Sequence, residues 1–492
     1  MVRETVIGLE IHAELMTQTK MFCACKNDPD ETHPNINICP ICMGHPGTLP
    51  VPNAEAIALT QRVGAALNCE LADISKFDRK NYFYPDLPKG YQISQFDEPL
   101  CGTGSLTLQN GSTIGITRIH LEEDTGRSQH PEGKDYSSID FNRAGRPLME
   151  LVTEPDLRTP EDVELFAQEL QRILRYTNAS HANMEKGEMR VEVNLSLQEE
   201  GLSAAGKLTG TKVEVKNLNS VRSARLSVVF EMNRQADLLN DGKKVMQETR
   251  GWHDTKQATI SQRVKEDAHE YRYFPEPDIP PLKFSEADLD SSRRGLPELP
   301  AQRRERFAQE YGLNADEIQV FVDEKTLGEY YEAVVSEMGS WAEAEGRAED
   351  MPAFAKLAAN YLLTDLKGIM QEHGGVIEDT QITPENFAEL LKMVAADAIT
   401  SRVAKDVLLE MFSTGGDPSD IVEEKDLSQV SDTGELEVIA RNIVRDNPAP
   451  VADFKKGKKA ALQFLVGIMM AVTKGKANPQ MAAEILKKVI GS

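Results

Sequence analysis

The sequence predicts an α+β protein, an antiparallel-sheet domain followed by an all-helical part. Three observations predict it. Strict apolar/polar alternation, the signature of a strand with one buried face, recurs in separate segments of the N-terminal half. From about Pro297 onward the apolar spacing becomes helical throughout. A chain of 492 residues is also too long for one hydrophobic core, so roughly two to four domains are expected.

Composition narrows the class further. Forty per cent hydrophobic residues with ordinary Gly and Pro counts describe a globular protein. The chain has no apolar run long enough to span a bilayer. Its start, Met-Val-Arg-Glu-Thr, leads straight into a strand with no signal-peptide pattern. A cytoplasmic protein with no membrane partner is expected. A net charge of −24 excludes a surface that coats nucleic acid uniformly, since phosphate would be repelled over most of it. The charge is uneven, however. Val451 to Ser492 holds eight lysines against Asp453 and Glu484, a local +6 that leaves −30 on the preceding 450 residues. Such asymmetry predicts a C-terminal module that meets a polyanion, although a solvated helical surface has the same composition.

The first element, Val6 to Leu15, alternates Ile7, Leu9, Ile11, Ala13 and Leu15 against Gly8, Glu10, His12 and Glu14. The polar set puts carboxylates and an imidazole in a row, donors suited to a divalent cation. A merely wet strand face would look the same in isolation. Next come Cys23, Cys25, Cys39 and Cys42, spaced C-x-C and C-x2-C. Two close pairs of thiolates fit a tetrahedral structural Zn²⁺ with no open position. Cys69 and Cys101 stand alone and read as buried small hydrophobes. Asn53 to Asn68 reads as an amphipathic helix. Lys76 to Gln95 interleaves basic and aromatic residues with two prolines and a glycine, a stiff loop suited to stacking on bases and meeting phosphate.

Gly115 to Asp124 reads as a strand ending in three adjacent acids, with His120, Glu122 and Asp124 on one face by parity and Glu123 on the other. Such acids repel one another unless a cation or arginines neutralise them. Ser138 to Phe141 and Leu148 to Thr153 suggest a strand pair joined at Asn142 to Gly145. Thr159-Pro160-Glu161-Asp162 is a strong helix start. Met189 to Leu197 and Thr211 to Asn217 return to alternation, presenting Arg190, Glu192, Asn194 and Ser196, then Lys212, Glu214 and Lys216. Repeated charged faces exceed what solvation asks of a strand and predict one site for metal and a charged ligand. Asn217 to Ser220 caps a helix to about Leu239. Gln247 to Leu282 is poorly periodic and ends in the proline-rich Tyr271 to Pro281, which forbids a central strand. Helices are predicted at Arg303–Tyr311, Ala315–Val322, Leu327–Glu337, Pro352–Glu372, Pro384–Ala396 and Ser401–Phe412, with Asp350 and Thr383 as caps. Ser413 to Pro418 is the expected hinge, and short helices follow.

No P-loop, dinucleotide fingerprint or Ser-His-Asp or Cys-His nucleophile set is present. The residues alone therefore predict a metal-and-anion site suited to phosphoryl transfer, plus a helical arm with a basic end suited to nucleic acid.

Val6 to His12, Lys76 to Gln95, Ile119 to Asp124, Lys216 to Ser220 and Tyr271 to Asp278 together resemble the B subunit of the glutamyl-tRNA(Gln)/aspartyl-tRNA(Asn) amidotransferase, the GatB family, over essentially the whole chain. The resemblance implies an ATP-dependent ligase. The side-chain carboxylate of Glu or Asp misacylated onto tRNA is phosphorylated, and ammonia released from glutamine by the amidase (A) subunit displaces the phosphate. A small C subunit makes up the rest of a heterotrimer. Carried over, Glu10, His12, Glu122 or Glu123, and Glu214 match Mg²⁺ ligands, with Glu10, His12, Glu123 and Glu214 as the catalytic set. Arg190, Glu192, Asn194 and Lys216 are assigned to ATP phosphate or a second cation. Tyr84, Lys89, Tyr91 and Gln92 are assigned to the tRNA acceptor end, and Lys455, Lys456, Lys458, Lys459, Lys474 and Lys476 to the tRNA elbow. Zinc at Cys23, Cys25, Cys39 and Cys42 rests on spacing. The implied architecture is a cradle domain over residues 1–294 with its zinc loop at 21–49, a helical domain over 295–412 and a mobile YqeY-like tail over 413–492. Two other classes remain open on the sequence. One is a non-catalytic, zinc-stabilised tRNA adaptor; the other is a free-standing carboxylate–amine ligase, in which the basic tail would be idle.

Overall fold

Alternation in the first strand decides where everything else packs. In the computed structural model, which describes residues 3–131, 133–203, 205–264, 271–429, 433–473 and 475–491, the chain divides into two compact units, Met1–Pro300 and Ala301–Ser492. Besides two short pairs, Ile74–Ser75 with Leu282–Lys283 and Arg127–Gln129 with Ser138–Asp140, the strands of the first unit are β1 (Arg3–Glu14), β2 (Asp78–Asn81), β3 (Tyr91–Ser94), β4 (Gly104–Thr107), β5 (Thr113–Glu123), β6 (Pro147–Thr153), β7 (Met189–Glu199), β8 (Val213–Leu218), β9 (Glu248–His253), β10 (Ala258–Val264) and β11 (Phe274–Pro275). Its helices are α1 (Ala54–Ala66), α2 (Pro160–Tyr176), α3 (Val221–Asn240) and α4 (Glu286–Arg294). Eight strands form one sheet in the order β10-β9-β8-β7-β1-β6-β5-β4. All neighbours run antiparallel except β8 and β9, which are parallel and are separated in the chain by α3. The sheet is thus antiparallel, as expected, at every pairing but this one.

Ile7, Leu9, Ile11 and Ala13 of β1 lie in one buried cluster with Ile57 and Val63 of α1, Val163, Phe166 and Leu170 of α2, and Ala224 and Val228 of α3. The helices therefore cover the apolar face, and Gly8, Glu10, His12 and Glu14 are left only partly buried on the other. Local chemistry fixes the helix starts. The Asn53 carboxamide accepts from Glu55 N and Ala56 N. Thr159 and Asp162 form a reciprocal capping box ahead of Pro160. Ser220 caps α3 through Ser223 N.

Several expectations are corrected. Ser138–Asp140 pairs with Arg127–Gln129 and not with β6, because β6 is taken up between β1 and β5. The Lys76 to Gln95 stretch is partly a hairpin, β2 against β3, with β11 added at its edge. The poorly periodic stretch from Gln247 contains β9 and β10, and residues 265–270 within it lie outside the described residues.

The second unit is helical: α5 (Pro300–Tyr311), α6 (Ala315–Asp323), α7 (Lys325–Ala344), α8 (Met351–Asn360), α9 (Lys367–His373), α10 (Pro384–Ala395), α11 (Ser401–Thr414), α12 (Pro418–Glu424), α13 (Thr433–Asp446), α14 (Pro448–Lys455), α15 (Lys459–Val472) and α16 (Pro479–Gly491). Tyr331 is buried at its centre, stacked on Phe321 with centroids 4.5 Å apart and edge-on to Tyr311. The single long helix expected from Pro352 is broken by a π-helical segment, Tyr361–Leu366. Asp350 makes no side-chain cap, since a 3₁₀ turn leads into α8; Thr383 does cap α10. Leu436, Ile443, Leu465, Met469 and Leu486 form a separate small core among the last helices. Among the described residues no helix is long and apolar enough to cross a membrane.

Candidate metal centre

Strand register assembles the polar face row by row. His12 stands opposite Glu150 of β6 on one side and Arg190 of β7 on the other, and Glu150 stands opposite His120 of β5. The next row runs Glu192, Glu10, Val152, Arg118, and beyond it Asn194 faces Gly8. Because side chains repeat every second residue, each of these groups leaves the same side of the sheet.

Their ends converge. Nε2 of His12 lies 3.3 Å from Glu150, 3.8 Å from Glu122 and 3.9 Å from Glu10. Nε2 of His120 lies 3.4 Å from the same Glu150 oxygen and 4.0 Å from Glu122. Two donor sets result, Glu10–His12–Glu150 and His120–Glu122–Glu150, each with ligand atoms within 4.8 Å of one another. This is the spacing of groups that can share one ion.

The electrostatics are those of a crowded, partly dry carboxylate cluster. Burial, then the charges of Glu150 and Glu192, push the Glu10 carboxyl up to about 7, against the pull of His12. Burial works against a charged His12, but its bond to Glu150 and the charges of Glu150, Glu122 and Glu10 raise it to about 9. Burial would likewise raise Glu150; His120, His12 and Lys80 outweigh it and hold the carboxyl far below its usual range. Burial keeps His120 below the ordinary imidazole value. In effect His12 serves as the local cation among three carboxylates, a place that a divalent ion fills with more charge.

The other predicted residues fall into distinct positions. Glu122 enters this cluster and also accepts from Ser94 Oγ at 3.2 Å. Glu123 does not: its carboxylate pairs with the buried Lys89 ammonium and accepts from Ile93 N at 2.9 Å. Glu214 is on the same sheet two strands from β1. It accepts from Thr249 Oγ1 at 2.6 Å and lies 3.6 Å from Lys216 Nζ, which in turn sits 2.8 Å from Glu192. Asn194 is its cross-strand neighbour. Arg190 donates to Asp124 at 2.8 Å. The residues assigned to the site from the sequence left out two members of this cluster, Glu150 and His120. A lone acid in the otherwise apolar run Leu148-Met149-Glu150-Leu151-Val152 was the available signal, as was the shared parity of His120 and Glu122.

Cys23, Cys25, Cys39 and Cys42 converge in the same way, their sulfurs within 4.8 Å of one another. The Lys20 ammonium, on a buried side chain, donates to Asn37 O and lies 3.8 Å from the Cys42 sulfur. A bond from Cys23, despite burial and with help from Lys20, lowers the Cys42 thiol to about 5. Four thiolates around Zn²⁺ carry net negative charge, which this lysine offsets, so the residues fit a structural zinc. Gly44, at φ +67, lets the second knuckle run against Lys89; a Cβ there would sit 2.2 Å from Lys89 Cγ. A cavity of about 190 Å³ opens beside this contact, bounded by Cys23, Cys42, Arg79, Lys89, Tyr91 and Glu123 among others.

Of the residues assigned to tRNA, Tyr84 is exposed beside an exposed Phe83. Tyr91 carries Arg79 over its ring at 4.3 Å, and Gln92 is turned inward, donating to Glu123 O at 2.7 Å. Lys455, Lys456, Lys458 and Lys459 are exposed, Lys476 pairs with Asp426 at 2.7 Å, and Lys474 lies outside the described residues.

Comparison with known proteins adds a family. Residues 5–290 match the family described as GatB/GatE catalytic domain, and residues 345–490 match the GatB domain. The chain is 45% identical to a protein of Dehalococcoides mccartyi over 99% of both chains. It is 44% identical to one of Caldanaerobacter subterraneus subsp. tengcongensis over 99% of this chain and 98% of that one. It is 42% identical to one of Brevibacillus brevis over 99% of both. The name each relative carries is that of the B subunit of an aspartyl/glutamyl-tRNA(Asn/Gln) amidotransferase.

Proposed function

Because this chain belongs to the GatB family, we propose that it is the B subunit of a tRNA-dependent amidotransferase whose sheet domain activates a side-chain carboxylate on misacylated tRNA. The substrates would be Glu-tRNA(Gln), Asp-tRNA(Asn) or both, as the relatives' names suggest. A carboxylate resists attack by ammonia because its charge repels the nucleophile and its leaving group would be oxide. One carboxylate oxygen attacks the γ-phosphorus of ATP, the bond to the β,γ-bridging oxygen breaks, and ADP leaves. Ammonia then adds to the acyl-phosphate carbon, loses a proton and expels inorganic phosphate, leaving the amide. Ammonia would come from glutamine through the amidase of the assembly, with a small third protein making up the cytoplasmic heterotrimer.

Glu10, His12 and Glu150, with Glu122 beside them, would hold Mg²⁺, which when bound supplies the positive charge that brings a triphosphate and a carboxylate together. Around them Arg118, Arg190 and Lys216 stay partly exposed, at the rim where phosphate oxygens can be met; guanidinium forks match that geometry. Glu192 orients Lys216. Asn194 and Glu214 extend the same face. Tyr84 and Phe83 offer flat surfaces to the tRNA acceptor end, and the lysines of 455–459 offer charge to its elbow.

The observation that carries this proposal is the convergence of Glu10, His12 and Glu150 on a sheet face whose opposite side is sealed by helices. Phosphate release from ATP in the presence of Glu-tRNA(Gln) and ammonia tests it. Release should depend on the acylated tRNA and fall at least a hundredfold in Glu10→Gln with tRNA affinity within about threefold. A tRNA adaptor would release no phosphate even in the wild type.

A further inference from the structure

We propose that Tyr84, Tyr82, Tyr271, Tyr273 and Phe96 form a row of rings on which a short run of unpaired bases stacks, namely the single-stranded 3′ end of the acylated tRNA. This rests on the preceding assignment of tRNA as substrate and adds the place where its end lies. The rings come from two segments far apart in sequence, yet each meets the next. Centroids lie 6.4 Å apart from Tyr84 to Tyr82, 6.0 Å from Tyr82 to Tyr271 and 6.0 Å from Tyr271 to Tyr273, all edge to face. Phe96 then lies flat on Tyr273 at 4.3 Å, with 11° between the ring planes. Rings in such contact ordinarily sit in a core. Here Tyr84 is 64% exposed and Phe96 56%, so both ends of the row are open to solvent.

The row is held rigidly. β11 pairs with β2, and Arg79 of β2 forks onto the buried Glu276 just beyond β11, Nε at 2.6 Å and Nη2 at 2.9 Å. Between the two tyrosines, Arg272 has a φ of +45°, in the left-handed region that a residue with a side chain rarely enters. Asn81 clamps it there. Its backbone N donates to Tyr271 O at 2.9 Å, and its Nδ2 donates to Tyr271 O at 3.2 Å and to Arg272 O at 2.8 Å. The Arg272 side chain is left exposed. A platform fixed before its ligand arrives loses little entropy on binding.

Charge and position select nucleic acid as the occupant. Lys80 Nζ lies 5.2 Å from the centre of the Tyr271 ring, and Arg272 follows Tyr271 directly, so cations accompany the rings as a sugar-phosphate backbone beside stacked bases requires. The same Lys80 Nζ is 3.9 Å from Glu122 of the carboxylate cluster. A base stacked at this point therefore brings its ribose, and the acyl group on it, toward the face that activates the carboxylate. One adenine, as ATP carries, covers one or two rings; five rings suit several consecutive bases. Stacking is also indifferent to sequence, because every base has a flat face, which fits an end that all tRNAs share.

The test uses the full-length chain with tRNA(Gln) or tRNA(Asn), whichever it binds more tightly, intact or shortened by its four unpaired 3′ nucleotides. Shortening should weaken binding to wild type at least tenfold. Phe96→Ala and Tyr273→Ala should each weaken binding of intact tRNA about tenfold, and Tyr273→Phe should not. The double alanine variant should bind intact and shortened tRNA within about twofold of each other, since the contacts that shortening removes are already gone. 2-Aminopurine in place of the terminal adenine should lose fluorescence on binding wild type and keep it on binding the double variant. Near-ultraviolet circular dichroism checks folding, and Phe96→Ala alone carries the test if Tyr273→Ala does not fold. Wild type that binds both tRNA forms equally, or a double variant that still discriminates tenfold between them, overturns the proposal. Weakened ATP binding with tRNA binding unchanged also overturns it, by giving the rings to the adenine of ATP. No tRNA binding by wild type would instead overturn the substrate assignment on which the proposal rests.

Discussion

Lys89 is the residue whose substitution separates a structural role from a nucleic-acid role. Its side chain is 8% exposed and its ammonium pairs with Glu123, which is 4% exposed. The same carboxylate accepts from Ile93 N at 2.9 Å, and the knuckle at Gly44 packs on the Lys89 stem. Lys89→Met keeps the length of the stem and removes the charge, leaving Glu123 in a nearly dry setting with one backbone donor. Breaking a buried pair on one side costs about 3–5 kcal/mol. For a unit running from Met1 to Pro300 that corresponds to a fall in Tm of roughly 5–8 °C. Replacing both members, as Lys89→Met with Glu123→Gln, should recover most of the loss because no uncompensated charge remains. Urea unfolding followed by Trp252 fluorescence in a Trp341→Phe background reports on the first unit alone, since the chain has two tryptophans and Trp252 belongs to β9. A single variant within about 1 kcal/mol of wild type, or a double variant no better than the single, would refute the pairing argument. The salt dependence of tRNA binding supplies the second readout. It should be unchanged by Lys89→Met; a slope smaller by about one would show that Lys89 meets phosphate directly.

Three further expectations concern the other parts of the chain. Changing Lys455, Lys456, Lys458 and Lys459 together to Gln should lower the slope of log affinity against log salt for tRNA by about three; an unchanged slope would remove this cluster from the tRNA interface. Atomic absorption should find one zinc per chain, and Cys39→Ser should lose it together with several degrees of Tm; no zinc in protein purified without chelator would contradict the four-thiolate assignment. Glu214→Gln should reduce phosphate release less than Glu10→Gln does, because Glu214 is tied to Thr249 and Lys216 two strands from β1; equal losses would place it in the metal set.

Much of the sheet was legible because its interior is regular. The inward set Ile7, Leu9, Ile11 and Ala13 alternates without interruption, and the cap at Thr159, Pro160 and Asp162 is written in adjacent residues. What stayed hidden depends on partners far away in sequence. β9 looks like loop because it contains Glu248 and Arg250, yet Arg250 is held by Thr259 and Glu248, and the fully buried Glu231 of α3 accepts from Arg234 and Thr259 beside them. Charges neutralised across three elements leave no alternation to read. The candidate site was legible in kind more than in membership. Glu10, His12 and Glu122 could be placed on faces by parity, but choosing Glu150 requires knowing that β6 inserts between β1 and β5. The hairpin expected between Ser138 and Thr153 hid that, since it assigned the partner of β6 to its near neighbour in sequence. Glu122 and Glu123 are adjacent and chemically identical, and only the fold shows that one meets two imidazoles and the other a lysine.

The most direct test of carboxylate activation follows one oxygen atom. If Glu-tRNA(Gln) is prepared with ¹⁸O in its side-chain carboxylate and turned over with ATP and ammonia in ordinary water, the oxygen that attacks the γ-phosphorus leaves with it. Mass spectrometry of the phosphate should then find one ¹⁸O per molecule, matched to amide formed, and none in Glu10→Gln within the same time. Phosphate carrying no label, formed at the same rate, would mean that water and not the carboxylate attacks ATP.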